Sequence, residues 1–432
     1  MNKKFSYVIS RIATVAGMLM AFPCFSQVAK PHATKVVYQD KAYEQDYSIK
    51  YYPENATGLR TVVSDRNGNI QVLAGNSVLR TKAGRLLIPG TLATDRTYLP
   101  LLDRKVSAID TYKEQIVYLD DKALFSNSWA GKLYIPHNMP GAHLLCAGYG
   151  GQFLISDGQQ IALIKDSVLW SGLVSEGISE IRYEPARNLF WLLSTGSLSY
   201  FSPVNKKIVT VFHGEGLTCF TLSGKKILVG THNGYQELQL PSCRPLGAIR
   251  RALPATDLTV IETIGDRVWF GSLNGAFMTS ASAKAYSYFA SERWMPGNRV
   301  VSISKGPDNS VLVLTDKGLG KICFQPMTLE QKASYYEAIV RQRHIRYGFY
   351  SDYSGIKNGD VSTATMGPHD SDNLWTSMYL AGELFRYLTT HEEEAKQNYR
   401  ESFDAMERLF TLSGVCGLFG RCIERSGVVE FK

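Results

Sequence analysis

The chain has 432 residues, of which 44% are hydrophobic, 20% charged and 11% aromatic. This length exceeds one ordinary compact domain, and the composition excludes a disordered chain, a collagen and a coiled coil. The formal net charge is +8, but residues 1–26 contribute three basic residues and no acidic one. The remaining 44 basic and 39 acidic residues give no reason to expect nucleic acid as a partner.

Residues 1–26 have the organisation of a secretory signal peptide. Two lysines form a basic start, residues 12–22 form an apolar run, and Cys24 and Ser26 are small residues before a cut. We predict cleavage after Ser26 and a mature protein in the periplasm or outside the cell. Cys24 could instead be the acylated residue of a lipoprotein, although bulky residues precede it. The apolar run is shorter than the roughly 20 residues of a membrane-spanning helix, and no later segment approaches that length.

Six cysteines remain after this cleavage, and they form no CxxC pair. The sequence also has no HExxH motif, no Walker A motif and no Rossmann fingerprint, so no metal site and no cofactor is predicted. Cys416 and Cys422 lie in one glycine-rich loop and could pair in an oxidising compartment. The other four are expected to be buried thiols: Cys146, Cys219, Cys243 and Cys323.

A stretch of β-forming residues, a turn and a second apolar stretch recur seven times over residues 45–326. The turns fall at positions 76, 121, 158, 196, 234, 275 and 318. A spacing near 40 residues is typical of the blades of a β-propeller. We therefore predict a mainly β protein with a seven-bladed propeller over residues 45–326, with a β-sandwich as the competing interpretation. Residues 27–44 form a lead-in, in which residues 35–38 could supply the outer strand that closes the last blade.

Two of these turns are Asn-Gly turns, which end at Gly234 and Gly275 and suit the positive φ angles of a tight hairpin. The segment Asp266-Arg-Val-Trp-Phe-Gly-Ser-Leu-Asn-Gly275 resembles the repeat of two-component-regulator propellers. Such propellers form extracellular sensor domains and also occur in secreted proteins that degrade polysaccharides. The sequence carries no pattern of the membrane helix or kinase of a complete sensor, which weakens the signalling interpretation.

After Pro326 the apolar period changes from two residues to 3.6, which predicts helices within residues 327–432. The segment 328–331 fits a capping box, and a second capping box at residues 390–393 is expected to open the third helix. The second helix is apolar on several sides and is therefore expected to be an inner, buried one. Its main apolar stripe is Leu374, Met378, Ala381, Phe385 and Leu388.

The helical segments 374–387 and 403–409 resemble the start of the (α/α) toroids found in many glycan-degrading enzymes. A propeller followed by such a toroid is similar to secreted bacterial polysaccharide-utilisation proteins, among them rhamnose–glucuronate lyases. A toroid of six helical hairpins needs about 250 residues, whereas 105 follow Met327. The chain is therefore expected to be a truncated product that stops inside its second domain.

Ionisable residues crowd at the predicted start of the second helix, and the loop after the third helix is expected to reach the same rim. A uronate lyase needs a group that neutralises the carboxylate, a base and an acid. The candidate neutralisers are Arg421, Arg425 and Asn373. The candidate bases or acids are His369, Tyr350 and Tyr353, and Trp375 could form a sugar platform.

A glycoside hydrolase would instead pair two carboxylates, for which Asp370, Asp372 and Glu424 are available. The structural alternative is that Asp370 or Ser371 only caps the helix and that Trp375 belongs to the core.

These observations predict a secreted carbohydrate-active protein that acts on acidic, uronate-containing polysaccharide, resembling rhamnose–glucuronate lyases. Two alternatives stay open. The chain could be a non-catalytic ligand- or glycan-binding propeller related to sensor domains, or an inactive fragment. The expected partner is an acidic polysaccharide or oligosaccharide, with no nucleic acid and no membrane span, and the sequence leaves the oligomeric state open.

Overall fold

The computed structural model describes residues 39–83, 90–280, 285–357 and 361–424. The predicted signal peptide, residues 35–38 and Arg425 lie outside the described residues. No helix in the described ranges combines the length and the apolar character that a membrane span requires.

Strands are numbered in chain order through the described part of the chain. They are β1 Tyr43–Pro53, β2 Leu59–Ser64, β3 Ile70–Ala74, β4 Ser77–Lys82, β5 Gly90–Thr94, β6 Ala108–Tyr112, β7 Gln115–Leu119, β8 Ala123–Phe125, β9 Tyr134–Pro136, β10 Leu144–Ala147, β11 Phe153–Ser156, β12 Gln160–Ile164, β13 Val168–Leu173, β14 Ile178–Glu184, β15 Leu189–Ser194, β16 Ser197–Ser202, β17 Lys207–His213, β18 Leu217–Ser223, β19 Lys226–Thr231, β20 Gly234–Gln239, β21 Arg244–Pro245, β22 Leu258–Ile264, β23 Arg267–Ser272, β24 Gly275–Ser280, β25 Ser287–Phe289, β26 Val300–Gly306, β27 Ser310–Thr315, β28 Gly318–Met327, β29 Ile345–Arg346, β30 Phe349–Tyr350, β31 Tyr353–Ser354 and β32 Thr365–Met366. The α-helices are α1 Pro100–Asp103, α2 Leu329–Arg343, α3 Asp372–Thr390 and α4 Glu393–Thr411.

Most of these strands form antiparallel sheets of consecutive strands. Five four-stranded sheets comprise β6 to β9, β10 to β13, β14 to β17, β18 to β21 and β22 to β25. The remaining large sheet has eight strands in the order β2-β3-β4-β5-β1-β28-β27-β26. The described ranges thus contain a propeller arrangement followed by helices, as predicted, but not seven separate four-stranded sheets.

The N-terminal strand β1 joins the two ends of the propeller. It pairs antiparallel with β28, from Tyr43 opposite Met327 to Tyr51 opposite Leu319. Its last residues also pair parallel with β5, where Tyr51 lies opposite Gly90. The outer edge of β28 is therefore occupied by β1, and residues 35–38, which were expected to close the last blade, lie outside the described residues.

The core lies between neighbouring sheets, which explains why many strands are continuous apolar runs. In β15, Phe190 and Leu192 pack into one buried cluster with Leu154. The alternate residue Trp191 belongs to the next cluster, together with Phe220. Successive side chains of a strand point to opposite faces, so a sheet covered on both sides must be apolar at every position.

The first strands of the successive sheets form a closed ring around a central channel. Strand β2 contacts β6, and the contacts continue through β10, β14, β18, β22 and β26 back to β2. Each first strand contributes residues to the lining of this channel. A closed ring protects the strand edges that an open stack of small sheets would expose.

Helix α2 begins at the predicted capping box. The Gln331 backbone N–H donates to Thr328 Oγ1 at 3.2 Å, and the Thr328 N–H donates to Gln331 Oε1 at 3.0 Å. The second predicted capping box is wrong. Helix α3 continues through Thr390, whose Oγ1 donates to the Arg386 carbonyl oxygen at 2.9 Å, and His391 ends the helix with φ +60°.

The buried face of α3 is polar, contrary to the prediction of a buried apolar stripe. Its buried residues are Asp372, Thr376 and Glu383. The predicted stripe faces solvent, with exposed fractions of 53 to 68% for Leu374, Met378, Phe385 and Leu388. The reason is packing: α4 presents the polar residues Asn398 and Ser402 among its buried positions, and these match the polar side of α3.

The contact between helices is hydrogen-bonded accordingly. Asn398 Nδ2 donates to Glu337 Oε1 at 2.9 Å and to Glu383 Oε2 at 3.0 Å, which links α2, α3 and α4. Tyr379 Oη also donates to Glu337 Oε1, at 2.7 Å. This small helical segment, with two short hairpins between α2 and α3, gives no support to the predicted toroid.

Candidate functional site

The central channel of the propeller forms a cavity with a volume of about 1570 Å³. It is lined by the ring of first strands and by several of the turns that follow them. Hydroxyl side chains form much of this lining; they include Ser64, Thr111, Thr218, Thr221, Thr259, Thr263, Ser302 and Ser304. The Ser304 Oγ is buried and has no hydrogen-bond partner among the described residues.

One guanidinium organises the charges in this channel. Arg182 on β14 donates from Nε to Glu180 Oε1 at 2.6 Å and from Nη1 to Glu262 Oε2 at 2.5 Å. Its Nη2 donates to the Ile261 carbonyl oxygen at 3.1 Å. Although burial acts to lower the pKa of Arg182, the two carboxylates raise it above its ordinary value. The guanidinium is therefore charged at every physiological pH.

The carboxylates are held by backbone groups as well. The Phe220 N–H donates to Glu180 Oε2 at 3.1 Å. Asp110 on β6 accepts from the N–H groups of Thr111 at 2.7 Å and Ala147 at 2.8 Å. Burial raises the pKa of Glu180 and raises that of Asp110 to about 6, against the lowering effect of these hydrogen bonds. The Asp110 carboxyl thus titrates near pH 6.

The charge balance determines what the channel can recognise. Six carboxylates line the channel, those of Asp65, Asp110, Glu114, Glu180, Glu262 and Asp308, against the four cations Arg60, Arg66, Arg182 and Lys305, so the channel is net negative at neutral pH. Their free oxygen lone pairs can accept hydrogen bonds from the O–H or N–H groups of a ligand. Within the described residues, no three His, Cys, Asp or Glu side chains are arranged to hold a metal ion. The arrangement fits a polar organic ligand.

The sequence does not indicate this site directly, because its residues come from three sheets and lie far apart in the chain. A signal was present nevertheless. Asp110, Glu180, Arg182 and Glu262 each interrupt an otherwise apolar or hydroxyl-rich first strand. Charged residues at comparable places in several repeats of a propeller point to a shared channel.

The site residues predicted in the C-terminal segment do meet in part. Arg421 Nη2 lies 3.2 Å from Asp370 Oδ2, which joins the loop after α4 to the start of α3. The His369 N–H donates to Asp372 Oδ2 at 3.1 Å. Burial raises the pKa of Asp372, against the lowering effect of that hydrogen bond. The first pair is exposed, whereas Asp372 is buried.

The other candidates in this segment are largely engaged with protein groups. Glu424 forms an ion pair with Arg346. Tyr350 and Tyr353 both pack against the ring of His344, each with a centroid distance of 5.3 Å. These contacts hold the loops between α2 and α3 in place.

Two predicted substrate-binding residues lie in the first turn of α3. Asn373 Oδ1 accepts a hydrogen bond from the Leu374 N–H at 2.8 Å. Trp375 is 44% exposed, so it is not a core residue.

The cysteines in the described ranges are all free. The four that were predicted to be buried thiols are buried, and Cys416 and Cys422 are exposed thiols.

Comparison with solved structures identifies the architecture. The streptogramin B lyase structure aligns with 66% of this chain and 98% of its own, with a TM-score of 0.50 and 14% identity. The extracellular domain of a hybrid two component system from B. thetaiotaomicron aligns with 65% of this chain and 40% of its own, with a TM-score of 0.50 and 11% identity. The chain has a β-propeller fold. At these identities the likeness concerns the fold alone, and it gives no support to a rhamnose–glucuronate lyase. No protein-family model and no curated protein matches the chain.

Proposed function

We propose that this protein is a non-catalytic, ligand-binding β-propeller that acts in the periplasm or outside the cell. The observation that carries the proposal is the wide channel with Glu180, Arg182 and Glu262 in its wall. Charged groups held by hydrogen bonds around a large cavity are suited to recognise a ligand. The fold shared with an extracellular sensor domain and the signal-like start of the sequence support the same interpretation.

Seven blades are part of this proposal. The eight-stranded sheet divides where β1 meets β5, and the two halves, β2 to β5 and β26 to β28 with β1, have four strands each. Strands β2 and β26 are separate members of the ring around the channel. Counting each half as one blade gives the repeat number that the sequence predicts.

The channel favours a neutral or cationic ligand over an acidic one. Its six carboxylates outnumber its four cations and would repel a polyanion, and the Arg182 guanidinium is already bound to two of those carboxylates. Hydroxyl groups such as those of Thr221 and Thr263 can exchange hydrogen bonds with a sugar. We expect a neutral or amino-sugar oligosaccharide in the channel.

Calorimetric titration of the mature protein tests this assignment. The probes are a glucosamine oligosaccharide, its N-acetylated form and an oligogalacturonate of the same length. We expect the channel to bind one of the first two, and Glu262→Gln to weaken that binding about tenfold, equivalent to one lost charged contact. Asp121→Asn, in an exposed turn, is the matched control and should leave the affinity unchanged.

Two results would overturn the proposal. Affinity that is unchanged in both Glu180→Gln and Glu262→Gln would remove the channel as the binding site. Unsaturated products that absorb in the ultraviolet, formed on incubation with uronate-rich polysaccharide, would show a lyase instead of a binding protein. The same incubation with His369→Ala would then tell whether the rim of α3 carries that activity.

A further inference from the structure

A second, smaller cavity lies beside the channel, at the junction of the first two groups of strands. Its volume is about 320 Å³. It is lined by the turn between β2 and β3, the turn between β6 and β7 and the loop between β8 and β9, through Arg66, Asn67, Lys113, Gln115, Ser128 and Trp129. Arg66 and Asn67 also line the channel, so the two cavities are neighbours. We call this smaller cavity the side pocket.

The side pocket is positively charged, opposite to the channel. Two of its lining residues are the exposed cations Arg66 and Lys113, and none is a carboxylate. The Lys113 Nζ lies 5.3 Å from the centroid of the Tyr112 ring, and neither cation forms an ion pair within the described residues. The nearest acid in the β2–β3 turn, Asp65, accepts hydrogen bonds from that turn's own N–H groups.

A buried amide adds an unused hydrogen-bonding group. Gln115 is only 8% exposed, and its Oε1 accepts from Ser128 Oγ at 2.7 Å. Its Nε2 is buried and has no hydrogen-bond partner among the described residues. A buried donor without an acceptor costs free energy, and such groups in folded proteins are commonly satisfied by a ligand or water. Gln115 lines the side pocket, whose positive charge attracts an acceptor.

An aromatic ring completes the pocket wall. Trp129 is 38% exposed and contacts Tyr112, with a centroid distance of 5.8 Å. Trp129 and Lys113 both have positive φ angles, +52° and +47°, which non-glycine residues adopt only at a cost. A partly exposed indole next to polar donors is typical of a surface that holds a ring with one apolar face.

We propose that the side pocket binds an acidic sugar by its carboxylate. Arg66 and Lys113 neutralise the carboxylate, the Gln115 amide donates to an oxygen of the ligand, and the Trp129 ring packs against the sugar ring. A guanidinium matches the planar geometry of a carboxylate, whereas an ammonium acts as a point charge. The pocket is an anion-binding site that neighbours the channel and shares only Arg66 and Asn67 with it, so this inference does not depend on the ligand proposed there.

Binding of a trigalacturonate to the full mature protein tests the proposal by calorimetry. Its fully methyl-esterified form is the matched probe, because esterification removes the charge and keeps the sugar ring. We expect the acid to bind and the ester to bind at least tenfold more weakly. Lys113→Met and Arg66→Met should each weaken the binding of the acid about tenfold. Higher salt should weaken this binding further. Lys132→Met, which removes an exposed cation of the β8–β9 loop outside the pocket lining, is the control and should leave the affinity unchanged.

Trp129→Ala separates a sugar site from a general anion site. This substitution should weaken the binding of trigalacturonate and leave the weak binding of inorganic phosphate or sulfate unaltered. Equal affinity for acid and ester, or no effect of Arg66→Met and Lys113→Met, would overturn the proposal. Phosphate or sulfate that binds as tightly as trigalacturonate would also overturn it in favour of an inorganic anion site. Glu262→Gln affects only the channel, so the two proposals can fail independently.

Discussion

Arg182 and Glu262 stand 80 positions apart in the chain, yet the distance from Arg182 Nη1 to Glu262 Oε2 is 2.5 Å. Their strands, β14 and β22, are not neighbours in the ring, because β18 lies between them. The guanidinium therefore reaches past one blade to bind the next, and Glu180, which it also binds, accepts a hydrogen bond from the Phe220 N–H of β18, so the three first strands are linked. This link makes the ligand site and the stability of the propeller interdependent.

Loss of the guanidinium should destabilise the propeller. Arg182→Leu leaves Glu180 and Glu262 in the channel wall without a counterion, and we expect the free energy of unfolding to fall by about 3 kcal/mol. Chemical denaturation measures this change. Arg421→Leu is the matched control, since its ion pair with Asp370 is exposed and should contribute at most about 1 kcal/mol. Equal effects of the two substitutions would contradict the role given to Arg182.

Asp110 should make the stability of the propeller depend on pH. Its pKa is about 6 in the folded chain, compared with about 4 for an ordinary aspartate. The folded chain therefore binds a proton more tightly than the unfolded chain between these values. The stability from this group is fully present below about pH 4 and is lost as the pH rises through 6.

Replacement of this residue by asparagine measures the effect. The difference in unfolding free energy between the wild type and Asp110→Asn should change by about 2 kcal/mol between pH 4 and pH 7, with the wild type relatively more stable at the lower pH. A difference that stays constant over this range would show that the Asp110 carboxyl is not desolvated. Asp121→Asn in the neighbouring exposed turn is the control.

The Asn-Gly turn at Gly234 should not tolerate a side chain. Gly234 has φ +104°, and a Cβ there would overlap the carbonyl oxygen of Arg250. Gly224 also has a positive φ, +57°, but a Cβ there meets nothing within 4 Å. We expect Gly234→Ala to cost about 3 kcal/mol and Gly224→Ala about 1 kcal/mol in thermal or chemical unfolding. Similar losses of unfolding free energy at both positions would mean that the positive φ, and not the overlap with Arg250, sets the cost.

The outward face of α3 should be dispensable for stability. Phe385 is 68% exposed, so Phe385→Gln should change the free energy of unfolding by no more than about 0.5 kcal/mol. Ala405 of α4 is fully buried next to Gly348, so Ala405→Leu should cost about 2 kcal/mol through overpacking. A large cost of Phe385→Gln would show that this face is covered in solution.

Residues with local roles were predictable from the sequence. The glycines of the Asn-Gly turns have the expected positive φ angles, and Thr328 and Gln331 form the expected capping box. Such features depend on contacts between residues a few positions apart, where backbone conformation and side-chain reach decide the outcome. The wrong prediction of a capping box at residues 390–393 also depends on a contact between near neighbours. Thr390 binds the Arg386 carbonyl oxygen and stays inside α3.

The candidate site illustrates the opposite case. The sequence directed attention to His369 and its neighbours, because ionisable residues are adjacent there. In the structure, Arg421 and Glu424 are bound to other side chains, whereas the carboxylates of the channel come from separate repeats. A pattern of neighbouring residues in the sequence does not indicate which repeats face each other across a ring.

The sequence by itself determined that the chain repeats a β unit of about 40 residues and then becomes helical, because the period of the apolar residues follows the local backbone. Only the tertiary structure decided three things. It paired β1 with β28, with Tyr43 opposite Met327. It placed Asp110, Glu180 and Glu262 in one channel with Arg182. It also buried the polar side of α3 and exposed its apolar side. In each case the deciding term is the burial of surfaces against partners far away in the chain, which a pattern of nearby residues does not encode.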